Sequence, residues 1–146
     1  MNESRSRVEE VAITDRSCFQ AVEAIRKKVF VDEQEVAPEE EFDEFESTSK
    51  HYLLFVNSIP VATARWRYID DKIKCERFAL LKEYRNMGYG SILLKHILNE
   101  ISGKSDEVYL HAQLKAIPFY ERQGFQKIGE QFSECDILHY KMILNT

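Results

Sequence analysis

Apolar residues along the chain switch between two periods, and the switches mark out its elements. Val8 to Ile13 can form a first strand, after which Asp15 or Ser17 can cap a helix running from Cys18 to Phe30. In that helix Phe19, Ala21, Val22, Ile25 and Val29 recur at helical spacing, so one face should pack on a sheet. From His51 to Val56 and from Pro60 to Tyr68 the chain reads as two β-rich runs around the turn Asn57-Ser58, which predicts a hairpin, with Pro60 tolerated at a strand start. On the second of these strands Ala62, Ala64, Trp66 and Tyr68 form a buried face, and Thr63, Arg65 and Arg67 a wetter one. Asp70-Asp71 then turns the chain into Ile73 to Leu80, extending an antiparallel meander.

Helical spacing returns from Ser91 to Ser102, where Tyr89, Ile92, Leu93, His96, Ile97 and Ile101 line one side and Gly103 fits the C-terminal stop. Val108 to Gln113 predicts a strand and Ala116 to Gln123 a short helix, and Gln126 to Gln131 with Asp136 to Leu144 the final strand pair. The strand, helix, strand order after Ile73 implies one parallel crossover in a mostly antiparallel sheet. The acidic run Glu39 to Glu46, interrupted by Phe42 and Phe45, fits a loop or short helix at the rim.

The joint between the strand ending at Leu80 and the next helix reads Arg85-Asn86-Met87-Gly88-Tyr89-Gly90. A glycine-rich turn here leaves the first N–H groups of the helix unpaired and aimed outward, a cradle for a pyrophosphate. Ser91 follows Gly90 without the lysine that a nucleotide-triphosphate loop requires, and Leu93 stands where a dinucleotide fingerprint needs its third glycine.

Length and composition narrow the classes. At 146 residues the chain fits a single domain over 1–146, and 44% apolar with 31% charged residues is ordinary for a globular protein. A formal charge of −5 without a basic stripe argues against a nucleic-acid partner. Cys18, Cys75 and Cys135 form no C-x-x-C pair and suit a reducing compartment. Met1 to Glu10 has no apolar signal core and no apolar run approaches the roughly 18 residues of a membrane span, so a cytoplasmic protein without a membrane partner is expected. His111, Cys135 and His139 match no zinc spacing, and no metal is expected.

The loop resembles the R/Q-x-x-G-x-G/A signature of the GNAT superfamily of acetyl-CoA-dependent N-acetyltransferases. Glu76-Arg-Phe-Ala-Leu-Leu-Lys-Glu-Tyr-Arg85 resembles the family's fourth strand and loop, and Ala116-Ile-Pro-Phe-Tyr120-Glu-Arg-Gln-Gly124-Phe125 its A-x-x-F-Y-x-x-x-G-F element. Upstream, Arg26-Lys-Lys-Val29-Phe30-Val-Asp-Glu33-Gln34 with Pro38, Glu41, Asp43 and His51 is similar to a branch that includes the ElaA-like proteins. The resemblance implies an α/β fold with a mixed, mostly antiparallel sheet of six to seven strands flanked by helices and a V-shaped opening between the fourth and fifth strands. It also implies transfer of an acetyl group from acetyl-CoA, as cosubstrate, to a primary amine of an unidentified small molecule or peptide by direct attack.

Carried onto this chain, the resemblance assigns the coenzyme to Arg85, Asn86, Met87, Gly88, Tyr89, Gly90 and Ser91 and to the backbone of Phe78, Ala79 and Leu80. Gln113 stands where many relatives have an asparagine that bonds the pantetheine arm, and Tyr120 where they have the general acid. A phenol with a pKa near 10 is protonated at neutral pH and can fill that role. For the base, Glu76 shares a strand face with Phe78 and Leu80 by period two, His111 shares one with Gln113, and Glu33 is a third candidate; a water chain can replace any of them. Phe30, Glu33 and Gln34 are expected on the acceptor side, and an acidic rim at its mouth would favour cationic amines. The alternative is a non-catalytic acyl-CoA sensor or interaction module. Self-association into a homodimer stays open.

Overall fold

The computed structural model describes residues 5–38, 43 and 45–145; of the acidic run, Glu39 to Phe42 and Glu44 lie outside the described residues. Seven strands form one sheet: β1 (Ser6–Val11), β2 (Lys50–Val56), β3 (Ile59–Ile69), β4 (Lys72–Leu80), β5 (Val108–Gln113), β6 (Phe125–Glu134) and β7 (Ile137–Leu144). Their order is β1-β2-β3-β4-β5-β7-β6, antiparallel at every junction except β4 with β5, as the single crossover requires. Helix α1 (Arg16–Arg26) lies on one face of the sheet, and α2 (Tyr89–Ile101) with the short α3 (Ile117–Arg122) on the other.

Side-chain alternation sorts the strands between two cores. Tyr52, Leu54, Ala64, Trp66, Ile73, Leu110 and Met142 meet Leu93, Leu94, Ile97 and Ile101 of α2. Leu53, Phe55 and Ala79 meet Phe19, Val22, Ile25 and Val29 on the α1 side. On α2 the buried stripe includes Gly90 and Leu94, whereas Ile92 is exposed and His96 only half-buried. The stripe is therefore rotated by part of a turn from the one expected, because the helix lies across β1 to β3 and offers the opposite edge to solvent.

Three further expectations change. Helix α1 does not continue to Phe30 in α geometry: from Lys27 to Glu33 it widens into a π-helical turn, closed by Gln34 N–H donating to Val29 O at 3.2 Å. The wider turn keeps Val29 in the core while Phe30 and Gln34 reach the cleft described below. The presumed wet face of β3 is dry: Thr63 and Arg65 are each 1% exposed, because α1 and the segment around Asp43 and Glu46 cover them. Tyr68, at the overhanging end of β3, is exposed instead of buried.

The most consequential change lies in β4. Arg77 has φ +57° and the β3–β4 register shifts between Arg65↔Glu76 and Thr63↔Ala79, so a bulge breaks the alternation. Cys75, Phe78 and Leu80 face the α2 core, and Ala79 faces α1. Glu76 therefore lies on the face opposite Phe78 and Leu80, because the alternation that would group all three is interrupted at residue 77.

Candidate functional site

Strands β4 and β5 pair only from Ile73↔Val108 to Cys75↔Leu110, although β4 continues to Leu80 and β5 to Gln113. Beyond Cys75 the two diverge. The bulge at Arg77 turns the β4 edge outward just where pairing ends, which opens the sheet into a V. A cleft of about 980 Å³ fills this opening and runs from the loop at Arg85 to the tip of β6 and β7.

At one end the wall is backbone. Leu81 N–H donates to Val61 O at 2.9 Å, closing the end of β4 onto β3, and a 3₁₀ turn over Lys82–Tyr84 leads into the loop. Asn86 at φ +63° and Gly88 at φ +87° then reverse the chain into α2. The first amide bonded inside the helix is Ile92 N–H, to Gly88 O at 3.2 Å, which leaves Tyr89, Gly90 and Ser91 as orphan donors at the positive end of the helix dipole. Gly88 needs its left-handed conformation. A Cβ on Gly90 would reach Phe119 at 3.5 Å and Phe78 at 3.6 Å, so Gly90 keeps the floor of the cleft low. Met87 is exposed, and the Tyr89 ring is buried against Tyr84 with centroids 6.3 Å apart.

Arg85 is engaged inside the protein. Its Nε donates to Leu80 O at 2.9 Å, its Nη2 pairs with Glu33 at 2.9 Å, and its own N–H goes to Lys82 O at 3.3 Å. The side chain thus braces the loop against β4 and the π-helical turn, a structural job the sequence pattern did not reveal. Gln113 Nε2 donates to Gln34 Oε1 at 2.8 Å, a second tether from that turn, this one to the end of β5. Phe30 and Gln34 line the cleft, whereas Glu33 spends its carboxylate on Arg85.

Tyr120 lies in the floor, with its ring edge-on to Phe78 at 6.3 Å, to Phe119 at 5.1 Å and to Phe125 at 6.0 Å. Burial pushes its phenol well above the ordinary value, and the neighbouring Cys75 adds to the shift. No described residue hydrogen-bonds its hydroxyl, so a fully protonated donor faces the cleft. Burial likewise raises the Cys75 thiol to about 12, which leaves it inert as a nucleophile.

At the other end the wall is charged side chains. Arg65 donates to both oxygens of Asp43 at 3.0 and 2.7 Å, to Glu46 at 2.5 Å and to Glu76 at 3.1 and 2.8 Å. Arg26, 1% exposed, adds a second bond to Glu46 at 2.9 Å, and Arg67 covers the Phe45 ring at 3.8 Å. Glu76 also receives Arg67 at 2.5 Å and Lys74 at 3.3 Å. Desolvation alone would raise the Glu76 carboxyl, but Arg65, Arg67 and Lys74 outweigh it and hold the group below its ordinary value. A carboxylate held by three cations is a weak proton acceptor, so the geometry does not favour Glu76 as the base.

His111 is half-buried in the cleft wall with Gln113 on the same strand face, as alternation requires. Its Nδ1 lies 3.4 Å from Glu134 Oε1, and its ring meets Phe132 edge-on at 4.9 Å. Among the described residues no group of three or more histidines, cysteines and acids is arranged to hold a metal ion.

The chain matches the family model described as an acetyltransferase (GNAT) domain over residues 13–146. It is 37% identical over 121 residues to the uncharacterized N-acetyltransferase YjcF of Bacillus subtilis, covering 82% of this chain and 86% of that protein. Among solved structures it superposes on Escherichia coli ElaA with a TM-score of 0.85 at 26% identity, covering 97% of this chain and all of that one. FeeM, an N-acyl amino acid synthase from uncultured soil microbes, shares the fold at a TM-score of 0.80 and 15% identity, with 97% of this chain and 91% of that one covered.

Proposed function

The chain belongs to the GNAT acetyltransferase family and is an acyltransferase, and on that premise we propose that it moves an acetyl group from acetyl-CoA to a primary amine by direct attack. The observation that carries the reading is the orphan amides at the start of α2, where Gly90 and Ser91 line the same cleft as Tyr120. Those amides and the helix dipole would hold a diphosphate. The β4 edge beyond Cys75, left unpaired by β5, offers main-chain donors and acceptors to an extended pantetheine arm, as an added strand would use them. Gln113 can turn from Gln34 to the same arm, since its amide both donates and accepts. Bound there, acetyl-CoA supplies an activated thioester.

Tyr120 acts as the general acid, giving its phenolic proton to the departing sulfur; its raised pKa keeps that proton in place across the neutral range. Phe78 and Phe119 exclude water around it. Phe30 and Gln34 form the acceptor-side wall. Much of the rate comes from holding amine and thioester in register.

Release of free thiol from acetyl-CoA over a panel of amines, aminosugars and peptides tests the proposal: turnover with at least one amine is expected. A silent panel together with tight acetyl-CoA binding would instead support an acyl-CoA sensor.

A further inference from the structure

The charged end of the cleft contains a second arrangement that the proposed function does not use. Cys135 and Asp136, at φ +51° and +61°, form the tight turn between β6 and β7 and set the pairs Phe132↔His139 and Glu134↔Ile137. This register carries Phe132 and Glu134 to the side of the sheet where β5 presents His111. Glu134 Oε1 lies 3.4 Å from His111 Nδ1, and Glu134 Oε2 lies 3.8 Å from His139 Nε2. Phe132 fills the space between the two imidazoles, edge-on to His111 at 4.9 Å and stacked with His139 at 5.8 Å. His139 is fixed in turn by Nδ1 donating to Ile137 O at 2.7 Å. His111 is thus gripped by a ring and, at Nδ1, by a carboxylate, and it lines the same cleft as Tyr120.

We propose that Glu134 is a positioning residue that holds His111 with its proton on Nδ1, so that Nε2 accepts a proton from the incoming amine. The inference rests on the acetyltransferase reading above. A carboxylate at Nδ1 selects the tautomer with a free Nε2 lone pair and steadies the imidazolium once it forms. The other two candidate bases are already committed: Glu76 to Arg65, Arg67 and Lys74, and Glu33 to Arg85. The step balances. The amine nitrogen bonds to the thioester carbon and gives one proton to His111 Nε2, the C–S bond breaks, and the sulfur takes the Tyr120 proton. Charged and titratable groups around the dyad come from three strands: Lys74 and Glu76 on β4, Tyr109 on β5, and His139 and Lys141 on β7. The Glu134 carboxyl is held at about 2, first by the hydrogen bond from His111 and with help from Lys74 and His139, so it stays ionised wherever the imidazole titrates.

Two measurements on the full chain test this. In the first, kcat/KM is followed against pH with a saturating amine from the panel for the wild type, Glu134→Gln, His111→Gln and the double variant. His111→Gln should cost about 100-fold. Glu134→Gln should move the acidic limb to lower pH, since it removes an opposite charge from beside the imidazole. It should leave the KM for acetyl-CoA unchanged, and the double variant should be no worse than His111→Gln alone. In the second, the His111 ring is followed by NMR against pH without substrate, and Glu134→Gln should move its midpoint in the same direction. An active wild type with an unmoved limb, additive losses in the double variant, or an unmoved NMR midpoint overturns the proposal. A wild type silent toward every amine overturns the acetyltransferase reading and this role together, and the NMR midpoint then reports only whether the ion pair exists.

Discussion

The two ends of the cleft are built by opposite means. Around residues 85–91 the wall is main chain: orphan amides of α2, a left-handed glycine and an unpaired strand edge, with side chains such as Tyr89 turned into the core. Around Asp43, Arg67, Glu76, His111 and Glu134 the wall is side chain, drawn from β3, β4, β5 and β6 and from the segment at Asp43, with the buried Arg65 tying Asp43, Glu46 and Glu76 together behind it. A backbone site depends on local dihedrals and tolerates many side chains. A site made of charges needs each partner in place, because removing one leaves the others buried and uncompensated.

That contrast ranks the ways to break it. The largest effect should come from Arg65→Met, which strips the cation from Asp43, Glu46 and Glu76 at once. A loss of roughly 3 kcal/mol or more in folding stability is expected by chemical denaturation, and a variant as stable as the parent would show that the charged end is not a coupled unit. Next comes Tyr120→Phe at the junction of the two ends. It keeps the ring packing and removes the proposed acid, so kcat should fall about 100-fold while calorimetry finds the acetyl-CoA affinity retained.

Gly88→Val probes the backbone end. Forcing a branched residue to φ +87° costs on the order of 1–2 kcal/mol, so acetyl-CoA should bind about tenfold more weakly. Unchanged affinity would mean that the loop geometry is not what holds the coenzyme.

The smallest effect concerns pH. Desolvation would raise the Asp43 carboxyl, but the hydrogen bonds and charge of Arg65, with Arg77 and the Phe45 amide, hold it far below the ordinary range. A depressed folded-state pKa contributes stability that is complete above the unfolded value of about 4 and is lost as pH falls below it. Thermal melts of the wild type should therefore be nearly flat from neutral pH to about 5 and then decline, and Asp43→Asn should flatten that decline.

The backbone end was legible because its determinants are contiguous. Gly88 and Gly90 between an apolar strand and an apolar helix state the turn, and the elements from β2 to β7 follow from apolar runs bounded by local turn signals. The charged end was hidden for two reasons. Period-two reasoning assumes an unbroken ladder, and the bulge at Arg77, an arginine with nothing in its local sequence to mark it, moved Glu76 to the other face. Arg65 and Arg67 looked solvated because the pattern of one strand does not say what covers it; a second acidic segment does, from some twenty residues away. Glu134 was hidden for a similar reason, since only the β6–β7 register, with β7 paired to β5, brings it to His111.

What the amino-acid sequence determined by itself was therefore whatever depends on neighbours along the chain: the strands and helices, the crossover, and the loop that exposes amides at the start of α2. Tertiary structure alone decided which charges neutralise one another, which face Glu76 occupies and which carboxylate reaches His111. Dihedral preferences act over a few residues and can be read locally, whereas ion pairs and desolvation act through space between residues whose meeting is set only when the strands are in register.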